Sequence, residues 1–171
     1  RMLTTTSEGI AVYVAPSEDF LRPTLDTWKR RLGSLVGVSM VAELTGDVVP
    51  DLKLLGSARI LICTVTTWDL ITRRWRQRKA IQAVSLVVFD EMHFLGGEFG
   101  PTMEIVISRM RYISSQQQQG GRDPMRIVGL SSSLANARDV AEWVGVSSKS
   151  LFNFSPKVRP WPLEIYFQSF D

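Results

Sequence analysis

Val84-Ser85-Leu86-Val87-Val88-Phe89-Asp90-Glu91-Met92-His93 sets a six-residue apolar run directly against two carboxylates and a histidine. Only Ser85 interrupts the apolar character of the run, and no helical spacing organises it. That pattern predicts a strand covered on both faces, which belongs in a parallel sheet between layers of helices. Asp90 and Glu91 come where the apolar run stops. A charge at the edge of such a core needs a cation, hydrogen bonds or solvent to offset its desolvation. Ligands of parallel sheets bind beyond the carboxyl ends of the strands, so this strand end is the first candidate site.

Outward from it, four more segments carry strand character: Ile10–Ala15 (stopped by Pro16), 38–44, 59–64 and 126–130. Between them lie helical stripes. Leu21, Leu25, Trp28 and Leu32 are spaced four, three and four apart, which predicts a helix over 17–33 that opens on Ser17, Glu18 and Asp19. Further helices are predicted around Trp68, Ile71 and Trp75, over 101–113 and over 134–144. Alternating strands and helices give an α/β fold with a parallel sheet and right-handed crossovers. The 116–121 stretch, four Gln and two Gly, reads as a polar surface linker. After Gly145 the pattern ends, and Pro156, Pro160 and Pro162 impose an extended edge or connector.

Composition narrows the chemistry. In 171 residues, 44% hydrophobic and 22% charged, there is one core-sized domain and no signature of disorder. No apolar run approaches the roughly 20 residues of a membrane span, so a membrane is not an expected partner. One cysteine, Cys63, and one histidine, His93, exclude an internal disulfide and an all-protein zinc site, and fit a reducing compartment. The net charge of +3 permits nucleic-acid binding without requiring it. Arg73, Arg74, Arg76, Arg78 and Lys79 form the densest charge cluster; on charge alone it reads as a solvated helix face.

Every polar cluster of note falls at a predicted strand end: Pro16-Ser17, Thr45-Gly46, the run from Thr64 to Thr67, Asp90-Glu91-Met92-His93 and Ser131-Ser132-Ser133. One functional rim is therefore expected. Nucleotide-bound Mg²⁺ would suit the carboxylate pair, since it takes one or two carboxylates and fills its shell with water and phosphate oxygens. Asp90 would hold the metal, directly or through water, and Glu91 would deprotonate a water for attack on the terminal phosphate of that nucleotide. The plainer reading is an acidic helix start for Asp90 and Glu91, a hydrogen-bonded loop residue for His93 and a helix cap for Ser133.

Taken in order, these motifs resemble those of superfamily-two DExH-box RNA helicases. Phe89-Asp90-Glu91-Met92-His93 resembles motif II, Leu130-Ser131-Ser132-Ser133-Leu134-Ala135-Asn136 motif III, Val14-Ala15-Pro16 motif Ia and Leu44-Thr45-Gly46-Asp47 motif Ib. Cys63-Thr64-Val65-Thr66-Thr67-Trp68-Asp69 is similar to their Thr-Pro-Glu-Lys-Trp-Asp segment. Arg73-Arg74-Trp75-Arg76-Gln77-Arg78-Lys79, Ser108-Arg109-Met110-Arg111-Tyr112-Ile113 and Arg159-Pro160-Trp161-Pro162-Leu163-Glu164 narrow the likeness to the large two-cassette spliceosomal helicases. The form of motif III and Arg109-Met110-Arg111-Tyr112-Ile113 point to the C-terminal cassette; the activating signal cointegrator helicases share much of the pattern.

The resemblance implies a RecA-like fold, with 1–150 a partial first RecA-like domain and 151–171 a connector and strand leading to the second. It implies ATP and Mg²⁺ as cofactors, with Asp90, Glu91 and His93 catalytic and Asp90 facing the metal. Ser131 and Ser133 would couple hydrolysis to strand separation, and Pro16, Thr45, Gly46 and Thr64 would contact RNA. Implied partners are a small nuclear RNA duplex, other spliceosomal proteins and the second RecA-like domain, in the nucleus. The family's Gly-rich phosphate loop does not occur in these residues, and Arg1-Met2-Leu3 resembles the end of the helix that follows it. The expectation is that this strand, loop and helix lie upstream, leaving these residues alone inactive. Val65-Thr66-Thr67 replaces Pro-Glu-Lys, and Ser132-Ser133 replaces Ala-Thr, which implies a weakened or regulatory cassette or a pseudo-helicase scaffold that binds proteins.

Overall fold

The computed structural model describes residues 9–169, so the expected helix end at Arg1-Met2-Leu3 lies outside the described residues. Five strands form one sheet: β1 (Ile10–Ala15), β2 (Val41–Glu43), β3 (Ile60–Thr64), β4 (Val84–Phe89) and β5 (Arg126–Gly129). Their order is β2-β3-β1-β4-β5 and all four pairings are parallel. Helices α1 (Glu18–Val36), α2 (Val48–Ser57), α3 (Val65–Thr72), α4 (Lys79–Gln82) and α5 (Gly100–Gln119) connect them, and α6 (Ala137–Val144) follows β5.

The two-residue alternation of β1 shows how both faces are covered. Val12 and Val14 join a core with Trp68 of α3 and Ile107 and Met110 of α5. Tyr13 and Ala15 point the other way, onto Leu21 and Leu25 of α1. All six residues of β1 are buried, as a central strand requires.

Several boundaries differ from the sequence reading. The 38–44 strand shrinks to Val41–Glu43, because Val38–Met40 turns as a 3₁₀ helix after Gly37 and only the remainder pairs with β3. The first helix runs past Gly33 to Gly37, whose φ of 94° suits a glycine and ends the helix. Gly33 is buried inside it, and a Cβ there would stand 3.0 Å from Val38 Cγ2. The expected linker at 116–121 is mostly helix: Gln116 to Gln119 complete α5. Gln117 is buried, donates to the carbonyls of Gln82 (2.8 Å) and Val84 (3.3 Å), and accepts from Met125 N–H (3.2 Å). Composition marks glutamine as a surface residue; here it closes the backbone hydrogen bonds at the start of β4. Helix α2 was not read at all, since Pro50 and Gly56 break its apolar pattern.

Residues 151–169 form no strand, and Phe152, Phe154, Trp161, Ile165, Tyr166 and Phe167 are exposed.

Candidate functional site

Each of the five polar clusters does sit at the carboxyl end of a strand. Spatial order differs from sequence order, however. Across the rim come Thr45-Gly46 after β2, Thr64 ending β3, Pro16 after β1, Asp90-Glu91 after β4 and Ser131 to Ser133 after β5. The residues expected to meet RNA thus occupy one half of the rim, and the carboxylates and serines the other. They meet between β1 and β4, whose following helices α1 and α5 cover opposite faces of the sheet, the place where such sheets form their binding crevice.

Backbone hydrogen bonds fix the carboxylate half. Asp90 N–H donates to the Val14 carbonyl (3.0 Å), Leu130 N–H to Phe89 (2.8 Å) and Met92 N–H to Leu130 (2.9 Å). The ends of β1, β4 and β5 are thereby one unit. Gly129 permits the approach, because a Cβ there would stand 2.2 Å from Met92 Sδ. Among the described residues the hydroxyls of Ser131, Ser132 and Ser133 make no hydrogen bond to either carboxylate; they are exposed, and the tie is through the main chain. Ser133 caps no helix either, since α6 begins at Ala137 behind Asn136.

The two carboxylates stand in different surroundings. Asp90 Oδ2 accepts from the Tyr13 hydroxyl and Oδ1 from the Glu91 N–H (2.8 Å). Glu91 has φ 53° and ψ 42°, the sole non-glycine in the left-handed region among the described residues. Such a conformation costs on the order of 1–3 kcal/mol and clusters at functional sites. Glu91 Oε2 lies 3.3 Å from His93 Nδ1, an ion-pair distance whose angle falls short of a hydrogen bond. The His93 ring packs on Phe94 at 4.3 Å.

On the other half, the side chains divide the work. Pro16 and Thr64 are buried, and Thr45 is exposed. The Thr64 hydroxyl caps α3, accepting from Thr67 N–H (3.2 Å) and bonding Thr67 Oγ1 (3.1 Å). The Thr45-Gly46 turn hangs on Asp51, a residue the sequence reading missed: its carboxylate, 1% exposed, accepts from the N–H of Thr45 (3.1 Å) and Gly46 (2.8 Å). An acid one turn into a helix after a Thr-Gly turn was the available signal. Asp51→Ala leaves both amides without this acceptor, and a stability loss of about 1–3 kcal/mol is expected in urea denaturation. A change under half a kcal/mol, roughly the level of an ordinary surface substitution, would show that solvent replaces the carboxylate. Nearby Cys63 is fully buried, and burial, with the Asp51 charge adding to it, pushes its thiol well above the usual range; it is no nucleophile.

The basic cluster at 73–79 follows α3 and leads through α4 into the start of β4, at the opposite end of the sheet from the rim. Arg73 pairs with Asp69, Arg78 bonds the Ile71 carbonyl, and Arg76 lies over the Trp75 ring at 4.8 Å. Three of the five cations therefore serve local structure.

Comparison with known proteins places this geometry. The family model described as DEAD/DEAH box helicase matches residues 1–140. The U5 small nuclear ribonucleoprotein 200 kDa helicase of Homo sapiens is 48% identical over 171 residues, all of this chain and 8% of its own length. DExH-box ATP-dependent RNA helicase DExH12 of Arabidopsis thaliana is 50% identical over 160 residues, 94% of this chain and 7% of its own. Activating signal cointegrator 1 complex subunit 3 of Rattus norvegicus is 44% identical over the same length, with the same coverage. The chain thus spans under a tenth of these relatives. Among solved structures, the DUF1998 helicase MrfA superposes with a TM-score of 0.63 at 15% identity, covering 84% of this chain and 23% of that one. That likeness establishes the fold: a RecA-like parallel sheet with helices on both faces.

Proposed function

The chain belongs to the DEAD/DEAH box helicase family, and from that membership we propose that it works as the first RecA-like domain of an ATP-dependent RNA helicase. The observation that carries the reading is the Asp90-Glu91 pair at the end of β4, hydrogen-bonded through the main chain to the ends of β1 and β5. The donor set fits magnesium held mainly by a nucleotide. Among the described residues no three His, Cys, Asp or Glu side chains gather to cage an ion, and Mg²⁺ needs only one or two carboxylates beside water and phosphates. Bound Mg²⁺ supplies charge neutralisation on the phosphates. Asp90 would hold it, and Glu91 would take the proton from the attacking water. His93, against Glu91, would orient that carboxylate. Ser131 and Ser133, on the strand end tied to Met92, would carry the state of the site to a facing domain.

The β2-β3-β1 half of the rim would take RNA phosphates along Thr45, Gly46, Pro16 and Thr64. Pro16 and Thr64 are buried, so their contribution would be the backbone, with Thr45 offering a hydroxyl. The likeness to the U5 helicase supports a place in pre-mRNA splicing in the nucleus, acting on paired small nuclear RNAs. The Ser131-Ser132-Ser133-Leu134 form of motif III and Arg109-Met110-Arg111-Tyr112-Ile113 support a place for residues 1–150 in the C-terminal cassette, with 151–171 leading to a second RecA-like domain. Val65-Thr66-Thr67 and Ser132-Ser133 support a weakly active, regulatory cassette. The exposed apolar side chains from Phe152 to Phe167 favour a second reading, a scaffold that docks spliceosomal proteins. RNA-stimulated ATP hydrolysis and separation of paired RNA strands, measured on the protein expressed from its complete gene, test the first. Turnover indifferent to Glu91→Gln, with protein assembly lost on Trp161→Ala, would establish the second.

A further inference from the structure

Tyr13 is a phenol in the middle of the central strand, flanked by Val12 and Val14 and 3% exposed. Packing alone does not call for its hydroxyl. The ring meets Trp28 of α1 edge-on, with centroids 4.9 Å apart, a contact phenylalanine would make equally well. A buried hydroxyl needs a partner, and this one finds Asp90, 77 positions later and on the neighbouring strand. The Thr24 hydroxyl of α1 stands 3.5 Å away on the other side.

We propose that Tyr13 is the positioning residue for Asp90, locking the carboxylate that faces the nucleotide-bound metal in the orientation the site requires. The inference rests on the assignment of Asp90 to magnesium and deepens it. Its ground is the geometry of the two oxygens. With Oδ1 held by the Glu91 N–H and Oδ2 by the Tyr13 hydroxyl, the carboxylate can neither rotate about its terminal bond nor swing off the rim. One lone-pair direction on each oxygen is still free for a metal or its waters. The Tyr13 side chain leans on α1, which begins beside Pro16, and Phe20 of that helix meets Phe94 at 5.7 Å. The metal-facing carboxylate is therefore referenced to the element that borders the RNA half of the rim.

Partners that orient a metal ligand without touching the metal typically matter about 10- to 100-fold in metal affinity. The test is calorimetric titration of ADP and of a non-hydrolysable ATP analogue, with and without Mg²⁺, on the protein expressed from its complete gene. Tyr13→Phe keeps the ring and its Trp28 contact. It is expected to cut the Mg²⁺-dependent gain in nucleotide affinity roughly tenfold, leaving Mg²⁺-free affinity and the KM for RNA unchanged. Thr24→Val, which spares the Tyr13–Asp90 bond, is expected to leave the gain intact. A purely structural hydroxyl would lower Tm and leave the Mg²⁺-dependent gain at its original value; that result overturns the inference. Asp90→Asn separates the two levels. If it abolishes the gain and Tyr13→Phe does not, only the positioning role fails. If Asp90→Asn also changes nothing, the metal assignment fails, and the positioning role with it.

Discussion

Glu91→Gln is expected to lower ATP turnover by about 10²- to 10⁴-fold, the usual contribution of a positioned general base, while nucleotide affinity stays within about twofold. The geometry divides the two acids. Both oxygens of Asp90 already accept hydrogen bonds, from Tyr13 and from the Glu91 N–H. Among the described residues no hydrogen bond engages the Glu91 carboxylate, which stands 3.3 Å from His93 Nδ1. A carboxylate without donors keeps its lone pairs for a proton, which is why the proposed function makes Glu91 the base and Asp90 the ligand. The two carboxylates, though adjacent, meet different neighbours, Asp90 the Tyr13 hydroxyl and Glu91 the His93 ring, and Glu91 holds a left-handed backbone between them. Glutamine has the same shape and the same backbone preferences, so stability should not move. Single-turnover hydrolysis at saturating RNA, with nucleotide titration beside it, reads both quantities. Turnover within about tenfold of the parent protein, under the smallest contribution expected of a general base, would assign the proton to another group.

Which parts of this site could be read from the sequence follows from how far each residue acts along the chain. Strands β1 and β4 were legible to the residue because each is a six-residue run with at most one polar position, closed by Pro16 and by Asp90. Edge strand β2 was not, because it keeps only three paired residues and its remaining apolar stretch turns after Gly37. Asp90, Glu91 and the serine triplet stood out as polar groups interrupting apolar runs. Tyr13 did not: inside Ile10–Ala15 it reads as one more core residue, and its partner lies on another strand. Asp51 was hidden differently, since a carboxylate at the start of a helix is expected to be solvated, and this one folds back under the preceding turn. The order of strands across the sheet, which divides the rim into two halves, is a tertiary property that no local period encodes.

The other large effect is expected away from the rim, where Asp69 closes α3 onto α5. Its carboxylate is 7% exposed; Oδ1 accepts from Arg109 (2.8 Å) and Oδ2 from Arg73. Arg109 also reaches the Asp69 carbonyl (3.2 Å) and the Thr72 hydroxyl (2.8 Å), so one guanidinium of α5 satisfies the last turn of the helix that Thr64 caps. Arg109→Met removes that donor and leaves a buried carboxylate with an exposed partner, Arg73. A loss of about 3 kcal/mol is expected, at the low end for a broken buried pair because Arg73 still bonds one oxygen. Asp69→Leu combined with Arg109→Met should recover much of it, since matched apolar side chains replace buried pairs at little cost. Strict additivity of the two single losses would refute the coupling. The pH dependence has a defined sign. Burial pushes the Asp69 carboxyl up, but the bonds from Arg73 and Arg109 outweigh it and hold the group below the usual carboxylate range. Its contribution to stability is therefore complete above about pH 4, the unfolded value, and fades as the pH falls through the lower folded value. Urea denaturation followed by tryptophan fluorescence, with buried Trp68 reporting on α3, should show this acid-side slope in the parent protein and a shallower one in Arg109→Met.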